Sequence, residues 1–306
     1  MTRHIGLRLL YSLPALWLIV TMVFLLAHIV PGDPVQQMLG EGARAEDVQQ
    51  LRHALGLDLP VGVQYERYLT GVVEGNLGES FRFQQPVTTV VLSHYPATLE
   101  LAIVALFICA GIGIPAGLLA ARRRGTHTDH AVGLFTLFGL SVPNFALGPV
   151  LILIFSVMLG WLPVSGRGGV SHIILPAITL GAALAAILTR MVRTSVIEEL
   201  SSDYVRTARA KGLSESGVLF RHAFRNALIP ILTILGLQFG TLLAGTIVTE
   251  TIFSWPGIGR LAVQAIEARD YPLLQGCILL IAASYVLVNL LTDVVYALVD
   301  PRVRFE

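Results

Sequence analysis

Charge is what this chain lacks most. Of its 306 residues only 13% are Lys, Arg, Asp or Glu, while 54% are hydrophobic and the mean hydropathy is +0.72. A soluble domain carries about 25% charged residues. The deficit is gathered into long apolar runs, the pattern of a multi-span membrane protein; a soluble α/β protein breaks its runs into strands of roughly 4 to 8 residues. Cysteine is scarce too. Cys109 and Cys277 sit in apolar runs with no histidine or acid at ligand spacing, so they read as small buried hydrophobes, not as a disulfide or metal site. A net charge of +1 points to no nucleic-acid partner.

Catalytic and motor motifs are missing as well. No Gly-x-x-x-x-Gly-Lys-Ser/Thr phosphate loop occurs, so the chain is not its own nucleotide-driven motor. The glycine-rich residues 111–117 lack a lysine and lie inside an apolar run. There is no His-Glu-x-x-His pair and no Gly-x-Ser-x-Gly elbow. His127 and His130 are three apart and read as solvated residues, not metal ligands. The few ionisable groups in or beside apolar runs, among them Arg190, Arg193, Glu250 and Asp293, form no proton-relay pattern, which disfavours a secondary transporter.

What is present is a series of apolar stretches, residues 9–30, 99–121, 132–159, 173–189, 229–248 and 273–299, predicting an all-α integral membrane protein with six transmembrane helices. Arg3 and Arg8 precede the first, but its apolar part exceeds the roughly 7 to 15 residues of a signal peptide. Pro31-Gly32-Asp33-Pro34 then reads as a helix stop. Glycines and prolines within the runs (Gly113, Pro115, Pro143, Gly148, Pro176, Gly181) suit close backbone packing, or hinges. With six spans, 14 of the 21 Lys and Arg fall on the side of both termini, which the positive-inside rule places in the cytoplasm.

The organisation expected is an N-terminal segment and first span (1–30), an extracytoplasmic amphipathic loop domain (31–95), a five-span core (96–300) containing a cytoplasmic segment at 194–226, and a short tail (301–306). Polar groups that could face a pathway are Ser141, Asn144, Gln238, Thr241, Thr246, Glu250, Ser284 and Asn289. The charge-rich stretch 190–226 is longer than a connector between spans needs. Ser201-Ser202-Asp203 can cap a short helix ended by Gly212, and residues 213–224 can form a second, giving a compact element able to fill a cleft on a soluble partner.

Residues 204–212 read Tyr-Val-Arg-Thr-Ala-Arg-Ala-Lys-Gly and 221–226 read Arg-His-Ala-Phe-Arg-Asn. This segment resembles the cytoplasmic loop of permease subunits of binding-protein-dependent ABC importers, in the dipeptide, oligopeptide, glutathione and nickel branch. The chain keeps Ala208 and Gly212 of the general loop signature. It departs from it at Arg206, Thr207, His222 and Phe224-Arg225, all of which match the branch's own variant. The resemblance extends to Val-Pro-Gly-Asp-Pro at 30–34, His-Ala-Leu-Gly-Leu at 53–57, Gly-Asn-Leu-Gly-Glu-Ser at 75–80 and Gly-Trp-Leu-Pro at 160–163. It is most specific at 250–260, Glu-Thr-Ile-Phe-Ser-Trp-Pro-Gly-Ile-Gly-Arg, with Arg-Asp-Tyr-Pro at 269–272.

The resemblance implies a type I importer permease fold in a bacterial or archaeal cytoplasmic membrane. Its implied partners are a second homologous permease, two ATPases that bind the ATP and Mg2+, and an extracytoplasmic substrate-binding protein; the chain itself would hold no cofactor and break no covalent bond. It also implies an ATPase-coupling element made of Asp203, Tyr204, Arg206, Ala208, Arg209, Lys211, Gly212, Arg221, His222, Arg225 and Asn226. The outer motif would comprise Pro31, Gly32, Asp33 and Pro34 together with Trp255, Pro256, Gly257, Gly259, Arg260, Asp270 and Pro272. Dipeptides or oligopeptides are the expected cargo, with glutathione or a nickel chelate as alternatives. An ATP-independent transporter or channel is the reading of a different class.

Overall fold

The computed structural model describes the backbone of residues 2–29, 34–40 and 42–299, and the side chains of 12–25, 35–36, 39–40 and 42–295. Two parallel helices, α5 (Val87–Arg122) and α8 (Val170–Leu200), form the central pair. They approach where side chains vanish. A Cβ on Gly113 would lie 3.0 Å from the Leu188 Cβ, one on Gly117 2.6 Å from the Val192 Cβ, and one on Gly181 2.9 Å from the Ala105 carbonyl oxygen. Lipid tails are as apolar as leucine, so close van der Waals packing has to hold such helices together.

α11 (Phe224–Gly245) and α14 (Tyr271–Val299) pack on each other and on this pair, α6 (His127–Ser141) packs on α8, and α1 (Thr2–Ile29) packs on α14. Leu101, Ala105, Leu180, Leu242, Leu243 and Trp255 form one buried cluster; Cys109, Leu188, Val192 and Ile231 anchor another nearer the Arg122 end of α5.

The expectation of six spans is corrected. Among the described residues four helical stretches are long and apolar enough to cross a bilayer: Val87–Arg122, Val170–Leu200, Glu215–Gly245 and Tyr271–Val295. The count rises to five only if α6 and the stretch Asn144–Met158 are taken as one span, and they are bent by 100°. The break has a local cause. Val142 precedes Pro143 and is extended (φ −89°, ψ 114°), as the residue before a proline prefers, so the expected third span cannot run straight. Beyond it α7 (Asn144–Leu151) loosens into a π-helical turn, Ile152–Met158. The expected first span is the helix α1 (Thr2–Ile29), whose apolar stretch Ser12–Leu25 is the part with described side chains.

The expected loop domain consists of short helices, α2 (Pro34–Leu39), α3 (Ala45–Ala54) and α4 (Val61–Glu74). α4 leans on α1: the Phe24 ring lies 5.2 Å from that of Tyr65 and 5.6 Å from that of Tyr68, and the Thr21 and Tyr65 hydroxyls are 2.6 Å apart. Burial pushes the Tyr68 phenol up to about 12. The four remaining short helices are α9 (Asp203–Ala210), α10 (Glu215–Gly217), α12 (Ile247–Ile252) and α13 (Ile258–Glu267). α9 and α10 lie at the Arg122 end of α5, α12 and α13 at its Val87 end.

Candidate functional site

At the Val87 end the outer motif is tied to the bundle by a buried carboxyl. Glu250 is 0% exposed. Its Oε1 accepts from the Thr98 hydroxyl on α5 at 2.7 Å and from the Thr246 hydroxyl at 2.9 Å, and its Oε2 accepts from the Arg260 backbone N–H at 2.9 Å. Thr98 Oγ1 in turn accepts from the Ile258 N–H at 2.8 Å. The glycines of the motif make room: a Cβ on Gly257 would overlap the Glu250 carboxyl, and one on Gly259 would lie 2.7 Å from the Ile247 Cα. Trp255 is fully buried and donates its indole N–H to the Ala97 carbonyl at 2.8 Å. The Arg260 guanidinium donates to the Ser254 carbonyl at 2.7 Å, and Pro256 is half-buried between these groups.

A second clasp joins the loop domain to α14. Asp270, also 0% exposed, caps that helix by accepting from the Leu273 N–H at 3.2 Å, and Pro272 occupies its first turn. Its other oxygen accepts from the Ser80 hydroxyl at 2.5 Å and the Arg82 N–H at 3.0 Å. We expect Asp270→Ala to lower the stability of the purified protein by about 2 kcal/mol, the cost of a lost cap plus stranded buried donors. An unchanged thermal midpoint would show that the clasp carries no load. Pro34 begins α2, whereas Pro31, Gly32 and Asp33 lie outside the described residues.

At the Arg122 end the charge-rich segment is a hairpin. α9 buries Val205 and Ala208 against Val218 and Leu200. Gly212 follows it at φ 78°, a left-handed position that glycine adopts without steric cost. Ser202 occupies the N-cap position but makes no capping bond through its side chain. The expected separate second helix is instead α10 and a π-helical turn, Val218–Ala223, running directly into α11. Leu213 and Phe220, two large apolar residues of this stretch, are exposed.

The hairpin is braced internally. Arg209 donates to both oxygens of Glu215, at 2.9 and 3.1 Å, and Arg206 pairs with Asp203 at 3.2 Å. Tyr204 donates to Glu199 and is hydrogen-bonded to Asn226, so it links the elements on either side; partial burial, then the Glu199 carboxylate, push its phenol up to about 12. Lys211, Arg221 and Arg225 are exposed and carry no hydrogen bond or ion pair among the described residues, while His222 is half-buried. The hairpin thus presents unpaired cations on a surface backed by the bundle.

The pathway candidates divide in two. Gln238, Thr246, Glu250 and Ser284 are buried within the chain. Gln238 accepts from the Cys109 thiol at 3.2 Å and donates to the Leu184 carbonyl at 3.2 Å, joining α11 to α5 and α8. Ser284 Oγ lies 2.7 Å from the Leu280 carbonyl and 2.9 Å from the Tyr95 hydroxyl. Ser141 and Thr241 are exposed, and Asn144 and Asn289 half-buried; the Asn289 Oδ1, beside Gly240, is buried without a partner among the described residues. Sequence reasoning missed the partners Thr98 and Ser80 and the pairing of Arg193 with Asp129, at 2.7 and 2.8 Å, which ties the start of α6 to α8. An arginine in an apolar helix does call for a counter-ion, and that was the available signal for the last.

Residues 113–305 match the family described as binding-protein-dependent transport system inner membrane component, and residues 1–102 match its N-terminal counterpart. The chain belongs to that family. As such it is a membrane permease component of an ABC importer for peptide-type substrates, embedded as a multi-pass protein in the inner membrane. It is 44% identical to the glutathione transport system permease protein GsiC of Escherichia coli (strain K12) and 43% identical to that of Salmonella paratyphi A, each over 306 residues covering 100% of both chains. Among solved structures, the permease fold recurs in an inward-facing MetNI methionine ABC transporter (TM-score 0.60, 18% identity, 69% of this chain and 96% of that one). An amino acid ABC transporter with histidines matches at TM-score 0.53 over 70% of this chain and 94% of that one. The all-α type I importer fold therefore stands, without the six spans.

Proposed function

We propose that this chain is the pathway-forming permease subunit of an ATP-driven importer of glutathione. The observation that carries the cargo is full-length identity of 44% to glutathione permeases, which displaces the earlier preference for dipeptides and oligopeptides. The working assembly contains a second homologous permease, two ATPases that bind ATP and Mg2+, and an extracytoplasmic binding protein. The hairpin lies in the cytoplasm, in line with the excess of Lys and Arg in it. The exposed, unpaired Lys211, Arg221 and Arg225 fit an acidic rim around a cleft on the ATPase.

In this reading the ATPase moves the hairpin, and α8 and α11, continuous with it on either side, carry that motion to the pathway. The chain contributes a two-state geometry whose populations the partner biases. The outer clasps at Glu250 and Asp270 keep the far ends of the helices moving as one body. The exposed or half-buried Ser141, Asn144, Thr241 and Asn289 are the polar groups left for the pathway.

The test is uptake of labelled glutathione, a dipeptide and nickel by proteoliposomes holding this chain, its co-encoded partners and the binding protein. Glutathione uptake should require ATP and should fall about tenfold or more in Arg225→Glu, which sets like charges against each other at the ATPase. Uptake that persists without the ATPases would overturn the importer mechanism, and dipeptide uptake alone would overturn the cargo.

A further inference from the structure

Between α6 and α8 there is a cavity of about 610 Å³ that none of the roles above uses. Two contacts between the helices flank it. At one, a Cβ on Gly139 would lie 3.0 Å from the Ala186 Cβ; at the other, Arg193 grips Asp129 through two hydrogen bonds. Between them the helices part.

The walls sort by chemistry. Val132, Leu134, Leu137 and Leu140 supply an apolar side along α6, while His130, Arg190 and the Asp129–Arg193 pair sit at one end. Most of the polar groups are already spent. Thr136 and Thr189 donate to the carbonyls of Gly133 and Ala185, and Asp129 and Arg193 cancel each other's charge. His130 is hydrogen-bonded through Nδ1 to the Thr126 carbonyl at 2.8 Å, which leaves Nε2 for the cavity. Arg190 alone brings a net charge. It is exposed and has no hydrogen bond or ion pair among the described residues, although it lies in a helix that crosses the bilayer.

An uncompensated guanidinium over an apolar slot in a spanning helix matches an anion joined to a hydrocarbon chain. We propose that this cavity is a binding site for an anionic phospholipid, with the phosphodiester held by Arg190 and His130 Nε2 and an acyl chain lying along Val132, Leu134, Leu137 and Leu140. Basic pockets between transmembrane helices bind such headgroups, and a guanidinium matches two phosphate oxygens at once. The site adjoins the ion pair that joins the start of α6 to α8, seven residues before the latter ends at the hairpin. A bound lipid would therefore brace the inner end of the bundle. The assignment does not depend on the cargo.

The complete transporter, with its co-encoded partners, is exchanged into nanodiscs of phosphatidylglycerol and phosphatidylethanolamine, and retained lipid is read by native mass spectrometry. The unmodified chain and Arg190→Lys should retain phosphatidylglycerol. In Arg190→Gln the retention, relative to phosphatidylethanolamine, should fall about fivefold, the factor for one charge near the membrane surface. Leu137→Trp, which fills the slot and leaves Arg190 in place, should lose it as well. Equal retention in Arg190→Gln and the unmodified chain, or equal loss of both lipids, overturns the proposal. So does unchanged lipid retention with glutathione uptake reduced, which would place Arg190 on the cargo's route.

Discussion

Replacing Glu250 with alanine should cost this protein about 3 kcal/mol of stability and abolish transport. The side chain is fully buried and answers three donors from three parts of the fold: the hydroxyls of Thr98 and Thr246 and the backbone N–H of Arg260. Alanine leaves those donors without acceptors in a dry interior and opens a void beside Gly257 and Gly259, and each buried group left unmade costs about 1 to 3 kcal/mol. Glu250→Gln keeps the volume but turns one acceptor into a donor, so it should cost about 1 to 2 kcal/mol. Thermal unfolding of the detergent-solubilised complex measures both. A midpoint in Glu250→Ala equal to the unmodified value, with uptake intact, would falsify the latch.

The second large effect lies between α11 and α14. A Cβ on Gly236 would overlap the Thr292 side chain, with the Thr292 Cβ itself 2.8 Å away. Threonine is short and stiff at χ1, so it cannot swing aside as a long side chain would. Thr292 Oγ1 is also held to the Val288 carbonyl at 2.8 Å. Gly236→Ala should therefore force the two helices apart, at a cost of about 2 to 3 kcal/mol and a severe loss of uptake. Removing the obstacle should restore the fit: in Gly236→Ala/Thr292→Ala more than about 1 kcal/mol of the loss should return as coupling energy. Strictly additive losses in the double-mutant cycle would mean that the two residues do not meet.

Both effects turn on residues whose type is plain in the sequence and whose importance is not. Glu250 and Gly257 stand in the motif that resembles the importer permeases, yet nothing in a linear motif says that the carboxyl folds back onto the glycine. Thr98, 152 positions away, offers no signal at all in an apolar run.

The amino-acid sequence by itself determined the membrane class, because a run of about 20 apolar residues has no other stable home. It also determined the position of the hairpin, since charge interrupts hydropathy there and Gly212 ends α9, and it carried the family in its motifs. Tertiary structure decided which apolar stretches become straight spans: Val142-Pro143 favours a local break, but a hydropathy average runs on there and only the folded backbone shows a turn of 100°. It alone decided which polar groups face inward. A spanning helix is apolar all round, so periodicity names no face, and Gln238, Thr246, Glu250 and Ser284 proved to be buried ties between helices. The same holds for Arg193, whose partner Asp129 lies 64 residues earlier. A buried polar group is settled only by the partner that satisfies it, and in this protein that partner is brought up by the packing of another helix.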